Sequence, residues 1–169
     1  EDDGDKKNHY VDNKVFYQAM IEWIKLVKEA EDVGDSRPPI NDYIGDCFVK
    51  IAQHLSYRPN FINYPFRDEM VGDGIENCLM YAHNFDPEKS KNPFSYFTQI
   101  IYYAFLRRIE KEKKQVYVKY MLMEKMDKEG KFTKWAHDNE LVDPNQKNAY
   151  ASYFKLSDSD IEKFTPKKK

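Results

Sequence analysis

The stretch from residue 92 to about residue 125 limits the possible folds of this chain more than any other feature. Asn92 suits the N-cap position of a helix, and Pro93 suits the first helical position, where its missing N–H costs nothing. No further Pro or Gly occurs before Gly130. The stretch therefore predicts one long helix, and helical spacing gives it a core stripe made of Phe94, Phe97, Ile101, Ala104 and Phe105.

The other side of this predicted helix carries aromatic, amide and cationic side chains, namely Tyr96, Gln99, Tyr103, Arg107, Lys111 and Lys114. Aromatic rings can stack on bases, and cations can hold phosphates. An ordinary solvent-facing helix also carries Lys and Arg, and Tyr is often half-buried there. The pattern leaves two alternatives open, a nucleic-acid contact and a plain solvated face.

Charge is unevenly distributed along the chain, although the net charge of its 169 residues is only −2. Residues 66–79 carry three more carboxylates than cations, and residues 107–119 carry four more cations than carboxylates. One acidic and one basic surface predict two different partners. The length suits a single domain with its own core.

The cysteines and the hydropathy pattern predict an intracellular protein without membrane contact. Cys47 and Cys78 lie beside apolar residues in amphipathic stretches, which predicts buried free thiols in a reducing compartment, with a disulfide between them as the alternative. No apolar run approaches membrane-spanning length, and no signal peptide is recognisable.

Three further helices are predicted before the long one, over about residues 12–30, 42–57 and 66–84. The first should bury Val15, Phe16, Ala19, Trp23, Ile24 and Val27. The third should bury Val71, Ile75, Cys78, Leu79 and Ala82, with Glu69, Asp73, Glu76 and Met80 outside. Two glycines in the third helix, Gly72 and Gly74, each cost about 1 kcal/mol relative to Ala, which predicts close approach by another segment or a partner. No strand pattern is convincing, so the predicted fold class is all-α.

Catalytic signals are missing from the sequence. It has no phosphate-binding loop, Cys-rich metal site or nucleophile elbow. The carboxylates Glu69, Asp73 and Glu76 would suit an all-α magnesium-dependent nucleotide pyrophosphohydrolase. Such an enzyme also needs a second acidic row on a facing helix, and the sequence has none. We therefore expect no enzyme activity, no metal and no cofactor.

Two blocks of the sequence resemble region two of bacterial sigma factors, FRDEMVGDGIENCLMYAHNFD and NPFSYFTQIIYYAFLRRIEKE. From residue 9 to about residue 120 the chain is closer still to the late-transcription sigma factors of large tailed myoviruses. The shared elements are VDNK at 11–14, NDYIG at 41–45, EMVGDGIE at 69–76, NFD at 84–86, YFTQ at 96–99 and RIEKEKK at 108–114. The resemblance implies a compact helical domain with a long central helix and an extended, partly ordered C-terminal tail.

In sigma factors the acidic helix docks on the clamp helices of the largest RNA polymerase subunit. The resemblance thus implies polymerase contacts through Glu69 and Asp73, and Glu76 and Met80 on the same outer face complete the expected docking set. The chain departs from the family at Gly72, where the family has a Gln that makes one of the docking contacts.

The long helix of sigma factors recognises and melts the upstream promoter element. Its motif Tyr-x-Thr-x-x-Ile-x-x-Ala is matched by Tyr96, Thr98, Ile101 and Ala104. The implied DNA contacts are Phe94, Tyr96, Phe97, Gln99, Ile100, Tyr103 and Arg107, and Lys111 and Lys114 from the cationic side of the helix complete the expected set. Gln99 and Ile100 stand where primary sigma factors have tandem tryptophans, which shifts the expected wedge towards Tyr102 and Tyr103.

The expected organisation is a flexible N-terminus over residues 1–11, the sigma-like domain over residues 12–126 and a C-terminal extension with short helices over residues 127–169. No helix-turn-helix pattern follows residue 130. The resemblance implies that the tail contacts the polymerase flap and, directly or through a coactivator, a sliding clamp, with LSDSDIEKF at 156–164 as a candidate. The expected function is phage late-transcription initiation in the nucleoid-containing cytoplasm of a bacterial host. A stand-alone helical nucleic-acid-binding module is the alternative.

Overall fold

A computed structural model describes residues 10–128 and 156–166 of the chain. Regular structure within these residues is helical throughout, which confirms the all-α fold. The helices are α1 (Asn13–Asp32), α2 (Asp42–Ser56), α3 (Arg67–Tyr81), a 3₁₀ turn (Ala82–Asn84), α4 (Pro93–Lys128) and α5 (Asp158–Phe164). None of the helices in these two ranges has the length and apolar character needed to span a membrane.

The chain divides into two compact units, Glu1–Leu106 and Arg107–Lys169. The domain boundary predicted after residue 126 falls inside the second unit. Most of the predicted C-terminal extension, residues 129–155, lies outside the described residues, as do residues 1–9 of the predicted N-terminal segment.

An aromatic cluster forms the centre of the first unit. Phe16, Phe48 and Phe97 are fully buried, with ring centroids 4.6 Å apart for Phe48–Phe97 and 5.7 Å apart for Phe16–Phe97. Phe85, from the turn after α3, joins them at 6.0 Å from Phe97. Ring pairs of this kind add about 0.5–1.5 kcal/mol each beyond the burial of their area. The cluster ties α1, α2 and α4 together.

The helix starts occur where the sequence predicts them. Asp12 accepts hydrogen bonds from the backbone N–H groups of Lys14 and Val15 at the start of α1. Asn41 accepts one from Ile44 at the start of α2. Side-chain oxygens at N-caps satisfy N–H groups that have no intrahelical partner. The predicted burial of Cys47 and Cys78 as free thiols is also confirmed.

The predicted inner stripe of α1 is confirmed for Phe16, Trp23, Ile24 and Val27, whereas Ala19 is only half-buried. Val15 is 51% exposed, whereas Met20, which the sequence prediction omitted, is fully buried. Trp23 is buried as predicted, and its indole N–H donates to the carbonyl of Pro39 at 3.0 Å. The Pro-containing segment after α1 is thereby held against the helix.

The buried side of α3 differs from the predicted one. Its buried residues are Met70, Gly74 and Cys78, at spacings of four, and only Cys78 was predicted among them. Leu79 is 48% exposed, so its predicted burial is wrong. A Cβ at Gly74 would lie 2.9 Å from Cγ2 of Ile101. Because Gly74 has no side chain, α3 and α4 approach closely along this line, which turns Leu79 outward. The close approach predicted from the glycines is confirmed for Gly74.

In the second unit, α5 packs on α4. The Nζ of Lys113 lies 2.9 Å from Oδ2 of Asp160, and both side chains are mostly buried. The Tyr117 hydroxyl donates to Oγ1 of Thr165 at 3.1 Å. Ser157 begins α5 with a reciprocal capping box to Asp160, which confirms the helical turn predicted there.

Candidate functional site

The outer side of α3 carries the predicted acidic row. Glu69 and Glu76 are exposed, Asp73 is half-buried, and Met80 is 49% exposed. Glu76 follows Gly74 by two residues, which places the two about 200° apart around the helix. Since Gly74 faces α4, the carboxylate of Glu76 is on the side of α3 turned away from α4.

The local sequence favours the start of α3 although it lacks a side-chain cap. Phe66 occupies the N-cap position, and no side chain among the described residues caps the helix there. Asp68 and Glu69 lie in the first turn, where negative charge interacts favourably with the helix dipole. Glu69 therefore stabilises the helix that presents it.

Three exposed apolar side chains lie at the end of α3, and two of them, Leu79 and Met80, are on the side of the helix that carries the acidic row. Leu79, Met80 and Tyr81 are each between 45% and 49% exposed. Only Met80 was predicted to be outside. Leu79 is three residues after Glu76, which places the two about 60° apart around the helix. A helical wheel that takes Gly74 as the buried side therefore predicts the exposure of Leu79. Carboxylates beside exposed apolar groups suit a protein partner with a basic and apolar surface.

Tyr96, the predicted melting aromatic, is half-buried in the first turns of α4. Its ring meets Phe85 edge-on at 5.2 Å and Phe97 at 5.0 Å. Burial raises the pKa of its hydroxyl. Phe85 and Phe97 cover part of the ring, and the rest is accessible from solvent.

Phe97 is a core residue, and its predicted contact with DNA is wrong in this structure. Its side chain is fully buried between Phe16 and Phe48, so it has no accessible surface for a base. Phe94 and Ile100 are half-buried. In the sigma-like motif, Ile101 and Ala104 are also buried, which shows that part of the motif maintains the core.

Gln99 and Tyr103 are the most accessible of the predicted DNA-contacting residues in the first unit. Gln99 is exposed, and Tyr103 is 50% exposed. Tyr102 lies edge-on to Tyr103 at 5.7 Å and packs its ring against Phe61. A partly exposed tyrosine and an exposed amide can stack on bases and hydrogen-bond to their edges.

The predicted cationic residues Arg107, Lys111 and Lys114 belong to the second unit. All three are exposed. Lys113, which is not in the predicted set, is engaged by Asp160. Exposed cations of this kind contact phosphates and add salt dependence without sequence information.

Within residues 10–128 and 156–166, no group of three or more His, Cys, Asp or Glu side chains is arranged to hold a metal ion. Comparison of the chain with protein-family models gave no match, and comparison with curated proteins gave no significant match. What these surfaces bind is therefore inferred from their own residues and from the sequence resemblance.

Proposed function

We propose that the chain is a non-catalytic, sigma-like specificity subunit for late transcription of a tailed phage. In this role α3 binds the clamp helices of the largest subunit of the host's core RNA polymerase, and α4 recognises and melts the upstream promoter element. The observation that carries the proposal is the exposed row of Glu69, Glu76 and Met80 on the side of α3 turned away from α4. A subunit that binds polymerase and DNA at once needs two such separate surfaces.

The first unit supports the DNA half of the proposal through α4. Tyr96 is held by Phe85 and is partly accessible, and Gln99 and Tyr103 are exposed. Stacking of an unpaired base on one tyrosine contributes about 1–3 kcal/mol. That amount offsets much of the few kcal/mol needed to extrude a base from a duplex.

The proposal also includes the setting and the tail. The protein would act in the host cytoplasm, on DNA of the nucleoid, with Arg107, Lys111 and Lys114 contacting phosphates. The C-terminal extension would contact the polymerase flap or a sliding clamp, through the exposed side of α5 that carries Asp158 and Glu162.

The direct test is binding to bacterial core RNA polymerase by the double variant Glu69→Lys/Glu76→Lys. Both positions are exposed, so the change should cost only the favourable interaction of Glu69 with the helix dipole, and circular dichroism checks that the fold is intact. Like charges placed at a protein interface cost several kcal/mol, and we expect affinity to fall more than about tenfold. The matched control is Glu31→Lys/Asp32→Lys, which makes the same charge change at exposed positions at the end of α1.

Equal binding by the two double variants would overturn the assignment of the docking surface. Run-off transcription on phage late DNA with core polymerase then tests the whole proposal. Polymerase-dependent, promoter-specific transcripts support it. Tight nucleic-acid binding with no effect on polymerase would instead indicate a stand-alone nucleic-acid-binding module.

A further inference from the structure

The connection between α2 and α3, residues 57–66, together with Arg67 at the start of α3, has no part in the two surfaces described above; residues 57–67 are called the loop below. Its sequence YRPNFINYPFR contains four aromatic residues, two arginines and two asparagines, and no carboxylate. Cationic groups interleaved with aromatic rings are the combination with which proteins bind single-stranded nucleic acid. Aromatic residues in a connecting loop can also simply fill space, so their exposure decides what the loop can bind.

One aromatic residue anchors the loop. Phe61 is 1% exposed, and its ring lies 5.1 Å from Phe105 and 5.7 Å from Tyr102 on α4. The backbone N–H groups of Phe61 and Ile62 both donate to the carbonyl of Arg58, at 2.8 Å and 3.0 Å. Anchor and turn together restrict the conformations of the loop, and such restriction lowers the entropy cost of binding.

The exposed side of the loop has the groups that a nucleotide needs. Tyr57 is 59% exposed, and the guanidinium carbon of Arg67 lies 4.4 Å from the centre of its ring. Arg58, Asn60 and Asn63 are exposed, which makes their cationic and amide groups accessible. Beside this pair is a shallow cleft of about 260 Å³ lined by Gln53, Ser56, Tyr57, Arg67, Asp68 and Val71.

Ring contacts also connect the buried anchor of the loop to an exposed residue of α4. Phe61 contacts Tyr102 at 5.7 Å, and Tyr102 contacts Tyr103 at the same distance. Tyr103 is half-exposed. This series of ring contacts within the first unit places the anchor of the loop beside the surface on which we place promoter DNA.

We propose that the loop over residues 57–67 binds unpaired nucleotides of single-stranded nucleic acid. A base stacks on the Tyr57–Arg67 pair with its edge towards the polar groups of the cleft, and Arg58 contacts a neighbouring phosphate. This inference rests on the proposed function, because the single strand that the loop binds is the promoter DNA unpaired at α4.

The test uses the full chain without polymerase and a fluorescently labelled oligodeoxythymidine of about twelve nucleotides, followed by anisotropy at low salt. Loss of one base stack weakens binding by about fivefold or more, so Tyr57→Ala should show at least that loss. Arg58→Gln should lower the slope of log affinity against log salt by about 0.7, because one phosphate contact is removed. Tyr81→Ala and Arg37→Ala remove the same side-chain types at exposed positions outside the loop, and both should bind like the wild type.

Equal affinities of the Tyr57→Ala and Tyr81→Ala variants would overturn the inference, as would a wild-type chain that does not bind the oligonucleotide. If circular dichroism shows that Tyr57→Ala has lost helix content, the salt slope of Arg58→Gln decides, and an unchanged slope counts against the loop. The proposed function fails separately, when the wild-type chain does not bind core polymerase.

Discussion

Asn13 caps a helix that is distant from it in the sequence: its Oδ1 accepts a hydrogen bond at 3.1 Å from the backbone N–H of Phe94, 81 residues later in the chain. Asn92 supplies a second acceptor in the same turn, to the N–H of Ser95 at 3.0 Å. Two of the N–H groups left without intrahelical partners at the start of α4 are thereby satisfied. The first turn of α1 thus fixes the start of the helix that carries Tyr96.

Asn13→Ala should destabilise the protein, since it removes this long-range cap. The expected loss is about 1 kcal/mol in the free energy of unfolding, measured by urea denaturation followed by circular dichroism. Asn13→Asp keeps an acceptor at the same place and should retain most of the stability. Equal losses in the two variants would show that the acceptor is not what matters at this position.

The two glycines of α3 should respond to alanine in opposite directions. A Cβ at Gly74 would lie 2.9 Å from Ile101 and 3.0 Å from Phe105, so Gly74→Ala should overpack the α3–α4 contact and cost about 1–3 kcal/mol. Around Gly72, no atom of the described residues outside its own neighbourhood comes within 4 Å of that position. Gly72→Ala should therefore stabilise the protein by roughly 0.4–1 kcal/mol. Thermal unfolding of both variants checks this, and destabilisation by Gly72→Ala would contradict it.

Local chemistry explains which parts of the fold could be predicted from the sequence. Asp12, Asn41, Asn92 and Ser157 cap helices within a few residues of themselves, so their role follows from spacing alone. The contact between Asn13 and Phe94 depends on how α1 and α4 are packed, and no local pattern encodes it. The exposure of Leu79 could not be predicted from apolar periodicity for a related reason. The contact between α3 and α4 is centred on Gly74, and a glycine does not contribute to an apolar stripe.

The candidate site was predicted in part. The exposure of Glu69, Glu76 and Met80 agrees with the periodicity of α3. Phe97 was assigned both to the core by periodicity and to DNA by resemblance, and its complete burial supports the first assignment. The helical spacing of apolar residues predicts which of them are buried. A family motif, by contrast, contains both core residues and residues that contact DNA, and it does not distinguish between them.

Tyr96→Ala should reduce promoter opening while leaving polymerase binding intact, because the docking row is on α3. Permanganate reactivity of unpaired thymines on a late promoter measures the opening. Tyr96→Phe keeps the ring and its contacts with Phe85 and Phe97, and should open the promoter nearly as well as the wild type. Opening that persists in Tyr96→Ala would show that Tyr96 has only a structural role.

The contact between Lys113 and Asp160 should make the docking of α5 depend on pH. Burial acts to raise the pKa of Asp160, but hydrogen bonds from Lys113 and Ser157 outweigh it and hold the pKa below its ordinary value. A lowered pKa in the folded state stabilises the protein above the ordinary pKa of about 3.9, and the contribution is lost as the pH falls through the folded value. The difference in stability between the wild type and Asp160→Asn should therefore be largest near neutral pH and disappear in acid. Urea denaturation of both proteins across this pH range measures the difference in stability. Asp158→Asn, which changes an exposed carboxylate in the same turn, is the matched control. A stability difference between the wild type and Asp160→Asn that does not change with pH would contradict the assigned ion pair.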